Sequence, residues 1–279
     1  MSDAFHTPTT DAEFLPEVWS KEVQLARESQ LIMSNLVRRF DADVAPYGTI
    51  IHVPNVQNIA ANNISTADGS LDAVSNQETK SDITINKWKG CVINVLDIVL
   101  AQSKYDILSI YTEKLGYALG LVMEQDLMAL NPSFSANVGV FNTAVTDATL
   151  RAAVQALDDA RVPFSDRHLV MKPSVKNNLL SIDKFVRYDA VSYAPGASPI
   201  IKGNVGELYG VMAHVSPEVY KSVNNTSNLM FHREAIGLAV QKDVRVEKFA
   251  RTAFTDRIGG SELYGLAIVR NDHGVEVRS

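Results

Sequence analysis

The stretch SKYDILSIYTEKLGYALGLVMEQDLMAL, Ser103 to Leu130, reads as one long helix. Leu108, Tyr111, Leu115, Leu119 and Val122 recur at spacings of three or four, which lays them on one stripe. Ile107, Ala118, Leu121 and Met123 flank and broaden it. Ser103 with Asp106 offers an N-terminal cap, a hydroxyl for an orphan N–H and an acid in the positive first turn. Asn131-Pro132 stops the helix, because proline cannot continue the ladder. At roughly 1.5 Å per residue the rod is about 40 Å long, long enough to be a spine from which other pieces hang. Gly116 and Gly120 sit inside it, and each costs about 1 kcal/mol against Ala. Their missing side chains allow close packing onto the rest of the subunit, the simpler reading, or flexing of the spine.

Before the spine the texture is extended. GTIIHVPNV, Gly48 to Val56, is β-branched and reads as a strand. SDITINKWKGCVINVLDIV, Ser81 to Val99, alternates at Ile83, Ile85, Cys91, Ile93 and Val95 and reads as a second. Between them lies a tract dominated by Asn, Ser, Ala and Asp. A two-stranded ribbon is marginal alone in water, and a long unstructured loop is usually functional or disordered. The expectation is that something outside its own domain, most simply a neighbouring subunit, orders the ribbon. Upstream, residues 1–15 read as an arm. From Pro16 a helix is expected, with Val23, Ala26, Met33, Val37 and Phe40 keeping its period and Arg38 and Arg39 in its last turn.

After the spine, Thr146 to Arg161 reads as a helix capped by Asp147, with Leu150, Ala153, Val154, Leu157 and Ala160 buried. Val162-Pro163 ends it. His168 to Met171 reads as a short strand, and Pro173 opens another helix. Residues 185–201 are irregular. GELYGVMAHVSPEV reads as a turn and a strand, Phe231 onward as strand-rich, and the C-terminus as two strands about a turn near Asn271 to Gly274. Helices and strands mix without regular alternation, which favours α+β over a doubly wound sheet.

The whole chain bounds its chemistry. It has 279 residues, 46% apolar and 21% charged, ordinary for a protein with a real core. A net charge of −6 argues against a general DNA-binding protein. Cys91 is the only cysteine, so an intrachain disulfide is impossible. The N-terminal residues are polar and acidic, unlike a signal peptide, and no apolar run reaches the roughly 20 residues of a membrane helix. Asn63-Ile64-Ser65 and Asn224-Asn225-Thr226 match the glycosylation pattern by chance on this reading.

Catalytic patterns are missing. There is no P-loop, GxGxxG or HExxH, and Gly206 and Gly210 fit neither glycine motif. His6, His52, His168, His214, His232 and His273 are scattered without ligand spacing, which leaves only a metal site assembled in three dimensions. Cys91, between strand residues, reads as a buried inert thiol. Asp158 and Asp159 point about 100° apart on a helix, so they read as a solvated face and not an acid/base pair. Lys87-Trp88-Lys89 could stack on a base, but a half-buried strand with charged edges explains it equally well.

Three segments carry a resemblance: LDDARVPFSDRHLVMKPSVKNNLL (157–180), IKGNVGELYGVMAHVSPEV (201–219, with Gly203, Gly206 and Gly210) and FHREAIGLAVQKDVRVE (231–247). In this order the chain resembles the major capsid proteins of tailed bacteriophages, of HK97-like fold, and within them the P22-like coat group. The resemblance implies an N-terminal arm and helix (1–45), an extended loop (46–95), a peripheral domain holding the spine (96–145 and 232–279) and an axial domain (146–231). It implies a structural, non-enzymatic protein without cofactor, forming pentamers and hexamers of itself in an icosahedral virion shell. The shell would assemble in the host cytoplasm and enclose double-stranded DNA without sequence-specific binding. Scaffolding, portal and decoration proteins are implied partners, and no membrane. Intersubunit contacts are expected at Trp19, Arg38, Asn58, Asn62, Asp68 and Leu71. The alternatives are an encapsulin-type nanocompartment shell, which shares the fold, and an unrelated α+β enzyme.

Overall fold

The computed structural model describes residues 28–44, 48–56, 61–64, 78–103, 106–182, 206–222, 225–252 and 254–279. The first elements are a single helical turn, α1 (Met33–Leu36), and a two-residue strand, β1 (Arg38–Arg39). Next come β2 (Ile50–Val56), β3 (Glu78–Leu96), α2 (Asp97–Gln102) and the spine α3 (Ile107–Met128). After β4 (Ala136–Val138) follow α4 (Asp147–Asp159), β5 (Arg167–Met171) and α5 (Pro173–Leu180). The chain then runs through β6 (Glu207–Leu208), β7 (Val211–Val215), β8 (Lys221–Ser222) and β9 (Asn225–His232). It closes with β10 (Ile236–Thr252), β11 (Thr255–Ile268) and β12 (Gly274–Arg278).

Among the described residues these strands form two sheets. One has the order β1-β10-β11-β3-β2, and the other β4-β12-β9-β5-β7-β6 with β8 paired to β9. The long β3 does two jobs. Its first half pairs with β2, from Val56↔Glu78 to Ile50↔Thr84. Its second half pairs with β11, from Gly265↔Ile85 to Thr255↔Leu96. The strict alternation of β3 explains this span: odd positions from Ser81 to Val95 turn inward and even positions outward. Pro54 is tolerated in β2 because that strand is the sheet edge. The β2–β3 pair is therefore anchored by its own chain. Ile83 packs with Phe40 and Ala239, against partly buried Ile51 and Val53. The expected dependence of the ribbon on an external partner does not hold for this base. Most of the ribbon tip lies outside the described residues.

The spine is real but shorter than its pattern, 22 residues. Asp106 caps it, accepting the Ser109 N–H at 3.3 Å, while Ser103 ends α2 instead. Of the five stripe residues only Leu115 and Leu119 are buried, while Leu108 and Val122 are half-buried and Tyr111 is exposed; the helix also buries Leu127 and Met128, which the stripe did not include. Gly120 has Leu31 against it, whereas no atom of the described residues would stand within 4 Å of a Cβ on Gly116. The helix expected through Phe40 is not continuous. Residues 16–27 of that expected helix lie outside the described residues; of the described residues up to Phe40 only Met33–Leu36 is helical, and Arg38-Arg39 pair in parallel with Gly237 and Leu238. Met33, Val37 and Phe40 are nonetheless all buried, because spacings of three and four serve a turn followed by a strand as well as a helix.

On the seven-stranded sheet, α4 and α5 cover one face. Leu150, Ala153, Leu157, Val175 and Leu179 meet Leu169, Met171, Met230, Val275 and Val277 there. The helix α4 is capped by Thr146, whose hydroxyl accepts the Thr149 N–H, and not by Asp147, which pairs with Arg151. The turn Tyr209-Gly210 joins β6 to β7 as its sequence suggests. The last two strands do not pair with each other: β11 lies in one sheet and β12 in the other.

Candidate assembly surfaces

β3 presents Trp88, Val92 and Leu96 at spacings of four on its outward face, and their exposures are 76%, 45% and 53%. The same end of the sheet adds Phe254, beside the Thr255↔Leu96 pair, together with Ile98 and Val99 of α2, a helix with no buried residue. Isolated exposed apolar residues are ordinary, but a row of this kind marks an interaction surface. The signal was available in the sequence. Beyond Lys89 one phase of β3 holds Cys91, Ile93 and Val95 and the other Val92 and Leu96, broken only by Gly90 and Asn94, close to the pattern of a strand covered on both faces. Among the described residues only one face is covered. Lys87 and Lys89 do not sit at charged edges, as the strand reading supposed; they turn inward to Asp126 on α3, at 3.7 and 3.5 Å.

Under the spine lies an acidic cluster. Tyr264 donates to Asp126 at 2.8 Å, and among the described residues the fully buried Glu262 has no hydrogen-bond partner for either carboxylate oxygen. Burial, with the Asp126 charge second and Lys89 opposing, pushes the Glu262 carboxyl up to about 7. Burial and the bond to Asp126 raise the Tyr264 phenol. Cys91 shares this inward face, partly buried, with its thiol donating to the Leu115 carbonyl oxygen at 3.6 Å; burial raises its pKa.

Of the expected intersubunit residues, Arg38 is half-exposed. It donates to Glu234 Oε1 at 3.0 Å, stacks on Phe40 and lines a cleft with His52, Asn55 and Arg270. Asn62 is exposed within the short stretch 61–64. Trp19, Asn58, Asp68 and Leu71 lie outside the described residues.

On the other sheet, Asp158 is not part of a merely solvated face. It accepts from the buried Arg167 at 2.7 Å, and Arg167 also donates to the carbonyls of Val162 and Pro163. Two histidine pairs appear that spacing alone did not show. His168 and His214 stand 3.3 Å apart across β5 and β7, each held below the usual imidazole range by burial. His232 and His273 meet near Glu234, with one donor atom of each of the three within 4.8 Å of the others. No helix among the described residues is long and apolar enough to cross a membrane.

Residues 126–253 match a family model described as phage capsid protein. No curated protein matches the chain in sequence. Among solved structures, one from Mycobacterium phage Che8 superposes with a TM-score of 0.82 at 23% identity, covering 98% of both chains. The capsid of cyanophage P-SCSP1u gives 0.78 at 17% identity over 95% of this chain and 93% of that one. The mature capsid of bacteriophage PhiM1 gives 0.75 at 14% over 99% and 96%. The fold is thus the HK97-like fold of phage capsids, as the sequence suggests. None of these matches singles out the P22-like group.

Proposed function

We propose that this chain is a structural protein of phage capsid shells and assembles with copies of itself into pentamers and hexamers of a closed icosahedral shell around double-stranded DNA. The observation that carries this is the agreement in fold over nearly the whole chain, ribbon base and spine included. The exposed row Trp88, Val92 and Leu96 supports it, because a lone soluble subunit gains nothing from an uncovered apolar strand face. On this reading residues 96–145 and 232–279, with the spine, β10 and β11, form the peripheral domain, residues 146–231, with α4 and α5, form the axial domain, and residues 46–95, with β2 and β3, form the extended loop. The net charge of −6 suits a container that holds DNA loosely. Permanent interfaces of this class commonly bury on the order of 2,000–5,000 Å² in total, shared among several neighbours. Intersubunit contacts at Arg38, Asn62 and the other ribbon and arm residues, assembly in the host cytoplasm, and scaffolding, portal and decoration partners belong to the same proposal.

Negative-stain electron microscopy of the purified full chain, beside its size-exclusion profile, tests it. Closed shells, tubes or five- and six-membered rings are the expected result. Shells that copurify with an enzyme cargo would shift the reading to a nanocompartment. A monomer that stays a monomer when a scaffolding protein is supplied would overturn it.

A further inference from the structure

The chain crosses between the two sheets twice at one place. β9 enters β10 through the 3-10 turn Arg233–Ala235, and β11 enters β12 through the 3-10 turn Asn271–His273. These two turns pack against each other. His232 ends β9, Glu234 lies in the first turn and His273 ends the second. The two imidazoles meet edge to face, with ring centroids 5.7 Å apart.

His273 is only 5% exposed, and among the described residues its Nδ1 has no hydrogen-bond partner, although Asp272 Oδ1 lies 3.0 Å away. A buried ring nitrogen left in this way calls for an explanation, and an ion is one. We propose that His232, Glu234 and His273 bind a single first-row transition-metal dication of the zinc type, which pins the two crossings together.

The donor set fixes the class. Two imidazole nitrogens and one carboxylate suit zinc and its neighbours, whereas magnesium and calcium prefer oxygen alone. Tetrahedral donors about 2.0–2.2 Å from zinc stand about 3.3 Å apart, so donors within 4.8 Å need only a small closing of the side chains. Three protein ligands leave the fourth position to water. Arg38 holds Glu234 Oε1, which leaves the second carboxylate oxygen for the ion and orients the group. The bond from the Glu234 N–H to His232 Nδ1, long at 3.3 Å, is given up whichever ring nitrogen ligates. A surface cleft lined by Arg38, Arg39, Asp166, His232, Arg233 and Glu234 reaches two of the three ligands, its arginines flanking the way in.

The test uses the full chain, stripped with EDTA and dialysed, titrated with ZnCl2 by calorimetry and with CoCl2 by visible absorption. One equivalent binds saturably, cobalt gives the intense band of a tetrahedral site, and zinc raises the melting temperature until EDTA is added. His273→Ala and Glu234→Gln each weaken zinc at least about tenfold, while His168→Ala with His214→Ala leaves it unchanged. Glu234 is partly exposed, so its variant carries the test if His273→Ala fails to fold. Absence of one-to-one binding, or affinity that follows His168 and His214 instead, would overturn the proposal.

Discussion

The Glu124 carboxylate on the spine accepts the backbone N–H of Met33, at 2.9 Å through Oε2 and 3.1 Å through Oε1, and that of Ile32 at 3.2 Å. A single turn of helix has no stability of its own, and its first N–H groups are orphans. One buried side chain from a distant helix satisfies them, and so ties residues 32 and 33 to the spine. Glu124→Ala leaves those donors buried without an acceptor, at a cost of about 1–3 kcal/mol. Glu124→Gln, which keeps one acceptor, costs less. Urea unfolding of unassembled subunits measures both, and equal stability of all three proteins would contradict the account.

Glu262 makes stability depend on pH. In the folded chain it stays protonated up to about 7, while unfolded it ionises near the ordinary 4.5. Below 4.5 both states hold the proton and there is no penalty. Stability falls as pH rises from 4.5 to about 7 and stays low above, by on the order of 3 kcal/mol. Glu262→Gln cannot ionise. It is expected to match the parent near pH 4.5 and to exceed it in denaturation midpoint at pH 8. Parallel curves for the two proteins would show that the carboxylate is relieved by some other group.

Arg167 and Asp158 are unequal partners. The arginine is buried and holds two carbonyls beyond the end of α4; the aspartate is 40% exposed. Arg167→Ala strands the Val162 carbonyl and is expected to cost about 2–4 kcal/mol. Asp158→Asn, screened by water, costs under about 1 kcal/mol. Thermal melts of the two variants compare them directly, and a larger loss at Asp158 would reverse the assignment.

Two glycines separate packing from propensity. A Cβ on Gly265 would stand 2.5 Å from the Thr84 carbonyl oxygen, at the place where β3 and β11 shift register. Gly265→Ala forces the two backbones apart, and little soluble protein is expected from it. Gly116 has open space around it, so Gly116→Ala is expected to stabilise the subunit by up to about 1 kcal/mol. If Gly116→Ala also leaves shell shape unchanged under the microscope, the glycine is no hinge.

Trp88 tests the outer face. It is exposed in the subunit, so Trp88→Ser leaves the melting temperature of unassembled chain nearly unchanged. It is expected to reduce shell yield, read by size exclusion. Normal shells from this variant would move the contact elsewhere on the surface.

Much of the local structure follows from short-range patterns in the chain. Period two in Ser81–Val95, period three-to-four in Leu108–Val122, Pro173 at a helix start and the Tyr209-Gly210 turn are decided by neighbours in the chain, and each is read from spacing. Spacing was silent where two local solutions share a pattern. Met33, Val37 and Phe40 are buried either as a helix or as a turn and a strand, and only docking on Gly237-Leu238 and Glu124 selects the second. It was equally silent on Lys87 and Lys89, whose inward turn is set by Asp126 on another element, and on the exposure of Trp88, which depends on which faces find a cover within the subunit. His232, Glu234 and His273 meet only because both sheet crossings fall at one junction. Burial and pairing across about forty residues or more of intervening chain are properties of the tertiary arrangement, since the free energy that fixes them resides in contacts that no local pattern contains.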